Sequence, residues 1–266
     1  MYLVELAKTL RRGRTWLLAG TVASLPLIIV IALRSNPARA SAPSSTPFLF
    51  PIVKNGYYAA LSGLAVAEPY LLPLAIGLLA GDAIAGEAQA GTLVSLLVRP
   101  VPRVRLVLAK YFAAMTLVAA LIASTVVVGV IAGGVAFGLG PLPSLSGTTF
   151  SVGGTIARLI ATGSFMIAVS SGVASMGIWV STMTNNGPAA AVITAAIAVV
   201  SQILDKVPSL IKIGPYLPTH GWLGYVGFFR FPAYLLEMRR GLAISGAYTV
   251  VFLTLAVLGF AERDIA

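Results

Sequence analysis

The sequence predicts an all-α polytopic membrane protein with six transmembrane helices. Three observations carry this. Hydrophobic residues make up 58% of the 266-residue chain and charged residues only 10%, against roughly 25% charged in soluble globular domains. Several apolar runs reach the ~20 residues that cross a bilayer. The formal charge of +10 comes from basic residues gathered beside those runs, the placement that holds loops at an anionic membrane face. That placement argues for a lipid bilayer rather than nucleic acid as the partner of the charge. The chain has no cysteine, which excludes disulfides, thiolate metal sites and cysteine nucleophiles. No polar linker marks off a second domain, so residues 1–266 read as one transmembrane unit.

In chain order, Leu3, Leu6 and Leu10 recur at helical spacing among Lys8, Arg11, Arg12 and Arg14. This predicts an amphipathic helix lying in the interface ahead of the first span. Residues 16–33 form that span. Ala40-Ser41-Ala42 resembles a signal-peptide cleavage box, but the apolar core is longer than a signal peptide's and Arg34 follows at once, so the span is expected to be retained. Residues 35–56 read as a Ser/Pro/Ala loop. The second span, about residues 58–80, contains Pro69 and Pro73, which a span tolerates where neighbours satisfy the freed carbonyls. It also contains Glu68, the one acidic residue well inside an expected span. Glu68 is either an intramembrane polar site or a residue near the outer surface.

The stretch GDAIAGEAQAGTLVSLLVRPVPRVRLVLAK, residues 81–110, concentrates charge and turn signals between two apolar segments. Gly81, Gly86 and Gly91 are expected to break the helix. Thr92 can cap a new short one. Leu93, Leu96 and Leu97 give that helix an apolar face, Arg99-Pro100 stops it, and Pro102 suits the first turn of the next helix. Asp82 and Glu87 read either as solvated helix ends or as anchors toward Arg99, Arg103 or a partner. The third span covers about residues 104–132, with Arg105 and Lys110 expected to project into water or snorkel to headgroups.

Residues 133–156 form an uncharged loop. The fourth span, about 157–180, carries Ser170, Ser171, Gly172, Ser175 and Gly177, a small-residue surface suited to close helix packing. Asn185-Asn186-Gly187-Pro188 is a tight turn into the fifth span, residues 188–204. Residues 205–241 mix aromatics, glycines and isolated charges, including the sole histidine, His220, and read as an outer re-entrant or interfacial segment. The sixth span is about 242–260. With the N-terminus inside, the 18 Lys and Arg residues divide evenly between the two sides. The first half favours N-inside, whereas Arg239 and Arg240 oppose it. Both termini are assigned to the cytoplasm.

No Walker A pattern, HExxH or GxSxG is present, and no carboxylate pair suits acid–base chemistry. The chain is therefore not expected to be catalytic or to bind a cofactor or metal itself. The run Glu87, Gly91-Thr92-Leu93, Leu96-Leu97, Arg99-Pro100 and Arg103, with Lys110 beyond, resembles the region between the second and third spans of ABC-2-type transporter permeases. The N-terminal basic stretch resembles that family's elbow helix. Pro218-Thr219 and Phe260 with Arg263-Asp264-Ile265 resemble its C-terminal half.

The resemblance implies a permease subunit that couples ATP hydrolysis by a separate nucleotide-binding subunit to substrate export. It implies two ATPase subunits, which hold the ATP and Mg²⁺, and a second permease, identical or related. It places the assembly in a prokaryotic cytoplasmic membrane. It assigns residues 87–97 to or beside the coupling helix that docks on the ATPase, with Arg99, Pro100 and Arg103 closing it, and 185–188 to a second inner turn. Two other readings remain on the residues alone: an ion-coupled secondary transporter using Glu68, and a non-transporting membrane assembly subunit.

Overall fold

The computed structural model describes residues 1–35, 48, 50–92, 102–210 and 212–262. Among them, six helices are long and apolar enough to cross a membrane: Gly13–Ser35, Leu71–Gln89, Arg103–Phe137, Val152–Met183, Gly187–Asp205 and Leu236–Ala261. Labelled in chain order, the helices are α1 (Tyr2–Leu10), α2 (Gly13–Ser35), α3 (Tyr57–Ala67), α4 (Leu71–Ile76), α5 (Asp82–Gln89), α6 (Arg103–Phe137), α7 (Val152–Met183), α8 (Gly187–Asp205) and α9 (Leu236–Glu262). A π-helical turn, Gly77–Gly81, joins α4 to α5. The sole sheet among the described residues is a hairpin of two-residue strands, β1 (Leu142–Pro143) and β2 (Thr149–Phe150).

The second span differs from its expected form. Its break falls at Glu68–Tyr70, not at the glycines, and the helix then runs through Gly81 and Gly86 to Gln89. Pro69 and Pro73 explain the break, since each removes a backbone donor from the helical ladder. The glycines serve packing instead. A Cβ on Gly77 would meet the Ala191 carbonyl at 2.5 Å, and one on Gly81 would meet the Ala190 carbonyl at 2.8 Å. Glycine here lets α8 approach the backbone of the broken span closely. The chain turns at Gly91, whose φ of +67° suits glycine.

The small-residue surface of α7 packs in the same way. A Cβ on Gly172 would meet the Ser245 backbone of α9 at 3.2 Å, and one on Gly177 would meet the Ala80 and Thr194 side chains at 3.0 Å. Ser171 Oγ is 2.9 Å from Thr249 Oγ1, and Ser245 Oγ donates to the Val169 carbonyl at 3.0 Å. Within the bilayer these hydroxyls satisfy themselves on helix carbonyls and on each other, which removes the cost of burying them.

The expected loop 133–156 is shorter than its composition suggested, because α6 and α7 both extend into it. The segment between α8 and α9 forms short 3₁₀ turns, Pro208–Leu210, Gly214–Tyr216 and Trp222–Phe229. Three of its aromatics turn inward, whereas Tyr216, Phe231 and Tyr234 stay exposed. Trp222, Tyr225 and Phe229 are all at most 1% exposed. Phe48 stacks on Tyr58 at 5.8 Å and on Tyr225 at 6.1 Å, and meets Phe229 edge-on at 5.3 Å. Such ring pairs add to simple area burial. They plug the bundle at the end away from α1, which we call the far end.

Candidate functional site

At the other end, the basic end, α1 packs with its polar face inward. Leu3 and Val4 are 73% and 64% exposed, whereas Glu5 is buried. In water this helix would be inside out. Beside a bilayer the arrangement is consistent, with leucine and valine against lipid and the charges against protein. The reason lies in what faces it. Asp82 and Glu87 sit on α5, one helical stretch beyond the close α8 contact, and Lys110 projects from the second turn of α6.

These groups form one network. Lys110 Nζ lies 2.7 Å from Glu87 Oε2 and 2.9 Å from Glu5 Oε2. Lys8 Nζ donates to Glu87 Oε1 at 2.5 Å. Arg12 Nη1 donates to Asp82 Oδ2 at 2.8 Å, and Arg14 donates to the same oxygen. The Lys110 and Glu87 side chains are 2% and 3% exposed. A buried charge survives only when paired and hydrogen-bonded, and here each buried ion has at least one opposite partner. Lys110 therefore does not snorkel to the headgroups as its position in the sequence suggested. Asp82 and Glu87 anchor on the N-terminal helix, on Arg12 and Arg14, and on Lys110, not on Arg103.

The end of the broken span is held on two further sides. Ser181 Oγ accepts from the amides of Ile84 and Ala85 at 2.9 and 2.8 Å. Gln89 Oε1 accepts from the Gly187 amide at 3.0 Å. The second of these joins α5 to the tight turn that begins α8, where Asn186 Oδ1 caps the helix by accepting from the Ala189 amide. Arg103 is engaged elsewhere. Its Nη1 donates to the carbonyls of Phe260 and Ala261 at 2.9 and 2.6 Å, a cation on the carbonyl-rich C-terminus of α9.

Thus Glu87 and Gly91-Thr92 lie at the exit of this cluster, with Thr92 Oγ1 donating to the Glu87 carbonyl at 3.3 Å. Leu93, Leu96, Leu97, Arg99 and Pro100 lie outside the described residues. Sequence reasoning missed Glu5, Lys8, Arg12, Arg14, Ser181 and Gln89 as partners. One signal was available. Three acids, Glu5, Asp82 and Glu87, stand in otherwise apolar or basic surroundings, and each needs a cation.

Glu68 is buried among the helices at the break, three residues ahead of the spanning helix Leu71–Gln89. Its Oε1 accepts from Gln202 Nε2 on α8, and the carboxylate is 3% exposed as a residue. Among the described residues no cluster of three or more His, Asp or Glu side chains is placed to hold a metal ion.

Six helices of spanning length, packed through small residues and tied at one end by ion pairs, define a multi-pass helical membrane protein. The sequence profile described as ABC-2 family transporter protein matches residues 3–202. The chain belongs to this family and is thus a membrane permease component of an ABC transporter. Membership implies an ABC ATPase as partner. The match ends within α8, so the inward-packed segment and α9 lie beyond it. No curated protein matches the chain significantly.

Proposed function

We propose that this permease couples ATP hydrolysis by two separate nucleotide-binding subunits to export of a substrate, working beside a second permease. ATP and Mg²⁺ are held by the ATPase subunits. The basic end of the bundle faces the cytoplasm of a prokaryotic cell, and both termini lie there.

The observation that carries this reading is the ion-pair network around Glu87. It ties the exit of the broken span to α1 and α6, while Gln89 ties it to the start of α8. Residues 93–97, with Arg99 and Pro100, follow directly in the chain. A push on that short apolar stretch by the ATPase reaches Glu87 and Asp82 within a few residues. From there it passes to α1, α2, α6 and α8 through the Lys8, Arg14 and Lys110 ion pairs and the Gln89 hydrogen bond, of which the Lys110–Glu87 pair is fully buried. Nucleotide then shifts the population between two packings through its differential contacts with the ATPase dimer. The dense buried pairs make this end move as a unit, because separating any one ion from its partner is costly.

The test is the double substitution Leu96→Glu, Leu97→Glu, with the ATPase subunits copurified. The expected result is normal membrane insertion with loss of substrate-stimulated ATP turnover. Unchanged assembly together with unchanged stimulated turnover would overturn the coupling assignment. Failure of any ATPase subunit to copurify with the unaltered chain would favour the assembly-subunit reading.

A further inference from the structure

At the far end, the chain's sole histidine sits between two carboxylates on different helices. His220 Nδ1 is 2.7 Å from Asp205 Oδ1, at the last residue of α8. His220 Nε2 is 3.8 Å from Glu237 Oε2, in the first turn of α9. The three side chains are 18%, 26% and 38% exposed, so water and protons reach them. Gly221, at φ +76°, turns the chain directly after the histidine. A Cβ there would meet the Glu237 carbonyl and Gly241 at 3.1 Å, so the turn is pressed against the start of α9.

The geometry fixes the roles of the two ring nitrogens. A 2.7 Å contact to a carboxylate requires the proton on Nδ1. In the neutral ring, Nε2 then presents a lone pair to a second carboxylate, at a separation too long for a hydrogen bond. A proton added at Nε2 converts that contact into a charge-assisted one. The ring becomes a cation between two anions. Histidine is the side chain whose unperturbed charge change falls between pH 5 and 8.

The other charged groups around this cluster include Glu68, which interacts electrostatically with Asp205 and Lys206, and Arg158 of α7, which donates to the Phe228 carbonyl. The rest are Lys206 just past α8, Lys212 and Arg230 on the connecting segment, and Arg239 and Arg240 on α9. Of these, Arg240 lies 3.6 Å from Glu237 Oε1, leaving Oε2 to face the imidazole. The segment is already fastened to α8 close by, where Ser201 Oγ and Thr219 Oγ1 are 2.6 Å apart. On the α9 side the Tyr248 hydroxyl donates to the Tyr216 carbonyl at 3.0 Å. His220 is thus the group whose charge decides how firmly the start of α9 is tied to the end of α8.

We propose that His220 is a proton-operated clamp that joins Asp205 to Glu237 and closes the far end of the bundle when protonated. Acidification favours the clamped arrangement because that arrangement supplies two carboxylates to the imidazolium. Neutralisation removes the Glu237 contact and leaves the segment joined to α8 by the Nδ1–Asp205 and Ser201–Thr219 contacts, and to α9 by Gly221 packing and the Tyr248 hydroxyl. The clamp is independent of which molecule is transported.

The experiment uses the full chain in lipid nanodiscs, with ¹⁵N-labelled histidine so that one imidazole reports its own protonation. Hydrogen exchange across 212–241 is measured at pH 5.5 and 8 and corrected for intrinsic rates. The expected result is about threefold more protection at the lower pH, the scale of a partly exposed ion pair, following the imidazole titration. His220→Gln removes the pH difference. Glu237→Gln also removes it and keeps protection high at both values, because its amide donates to neutral Nε2. Equal protection at both pH values in the unaltered chain, or an unchanged pH response in either variant, would overturn the proposal.

Discussion

At the scale of single residues, Lys110 decides most. It lies near the start of an apolar helix, is almost fully buried, and contacts two carboxylates from elements distant in sequence. Lys110→Met leaves Glu5 without an opposite charge and Glu87 with only the half-exposed Lys8. The expected cost is about 3–5 kcal/mol, the price of orphaning a buried ion, read as a loss of unfolding stability in detergent or nanodiscs. Adding Glu5→Gln and Glu87→Gln to the same chain is expected to recover much of that loss, since the uncompensated charges are then gone. Absence of recovery would mean that Lys110 acts through packing alone.

Glu68 is the second informative residue. Its carboxylate accepts from Gln202 across the helix break, a geometry that a glutamine at 68 can reproduce. Glu68→Gln is therefore expected to preserve fold and ATP-driven transport. Glu68→Leu orphans the Gln202 amide and is expected to cost about 1–3 kcal/mol. Transport abolished by the glutamine variant while stability persists would instead support the ion-coupled reading of this site.

At the scale of elements, the broken second span organises the bundle. Two prolines open it at Glu68–Tyr70, and glycines bring its second half against α8. Gly81→Val places two methyl-bearing branches where the Ala190 backbone already lies within 3.0 Å of a simple Cβ. Overpacking of this kind costs about 1–3 kcal/mol. The expected signature is a lower unfolding temperature together with faster proteolysis at the turn preceding α8. An unaltered melting profile would show that α8 can retreat freely. The identity of these elements as helices was legible from hydropathy and length. The role of the glycines was not, because a glycine reads the same in sequence whether it ends a helix or admits a neighbour. Only the presence of Ala190 and Ala191 opposite them distinguishes the two.

At the scale of the whole molecule, the two ends of the bundle are built on different physics. The basic end is locked by buried ion pairs, and the far end is plugged by aromatic rings and tied by partly hydrated polar contacts. That asymmetry suits a machine driven at one end and gated at the other, the arrangement expected if the ATPase engages residues 93–97. The membrane class was legible from the residues alone. Apolar runs of spanning length and sparse charge follow from composition, which local chemistry dictates, whereas the Glu87 to Arg103 run pointed to the family only through its resemblance to ABC-2-type permeases. The tertiary structure alone decided which charge meets which. Glu5 and Lys110 are 105 positions apart, as are Glu68 and Gln202 at 134 and the ring of Phe48 against Tyr225. No periodicity encodes such pairs. They arise because buried ions and amides in an apolar medium must find partners wherever the packing brings them.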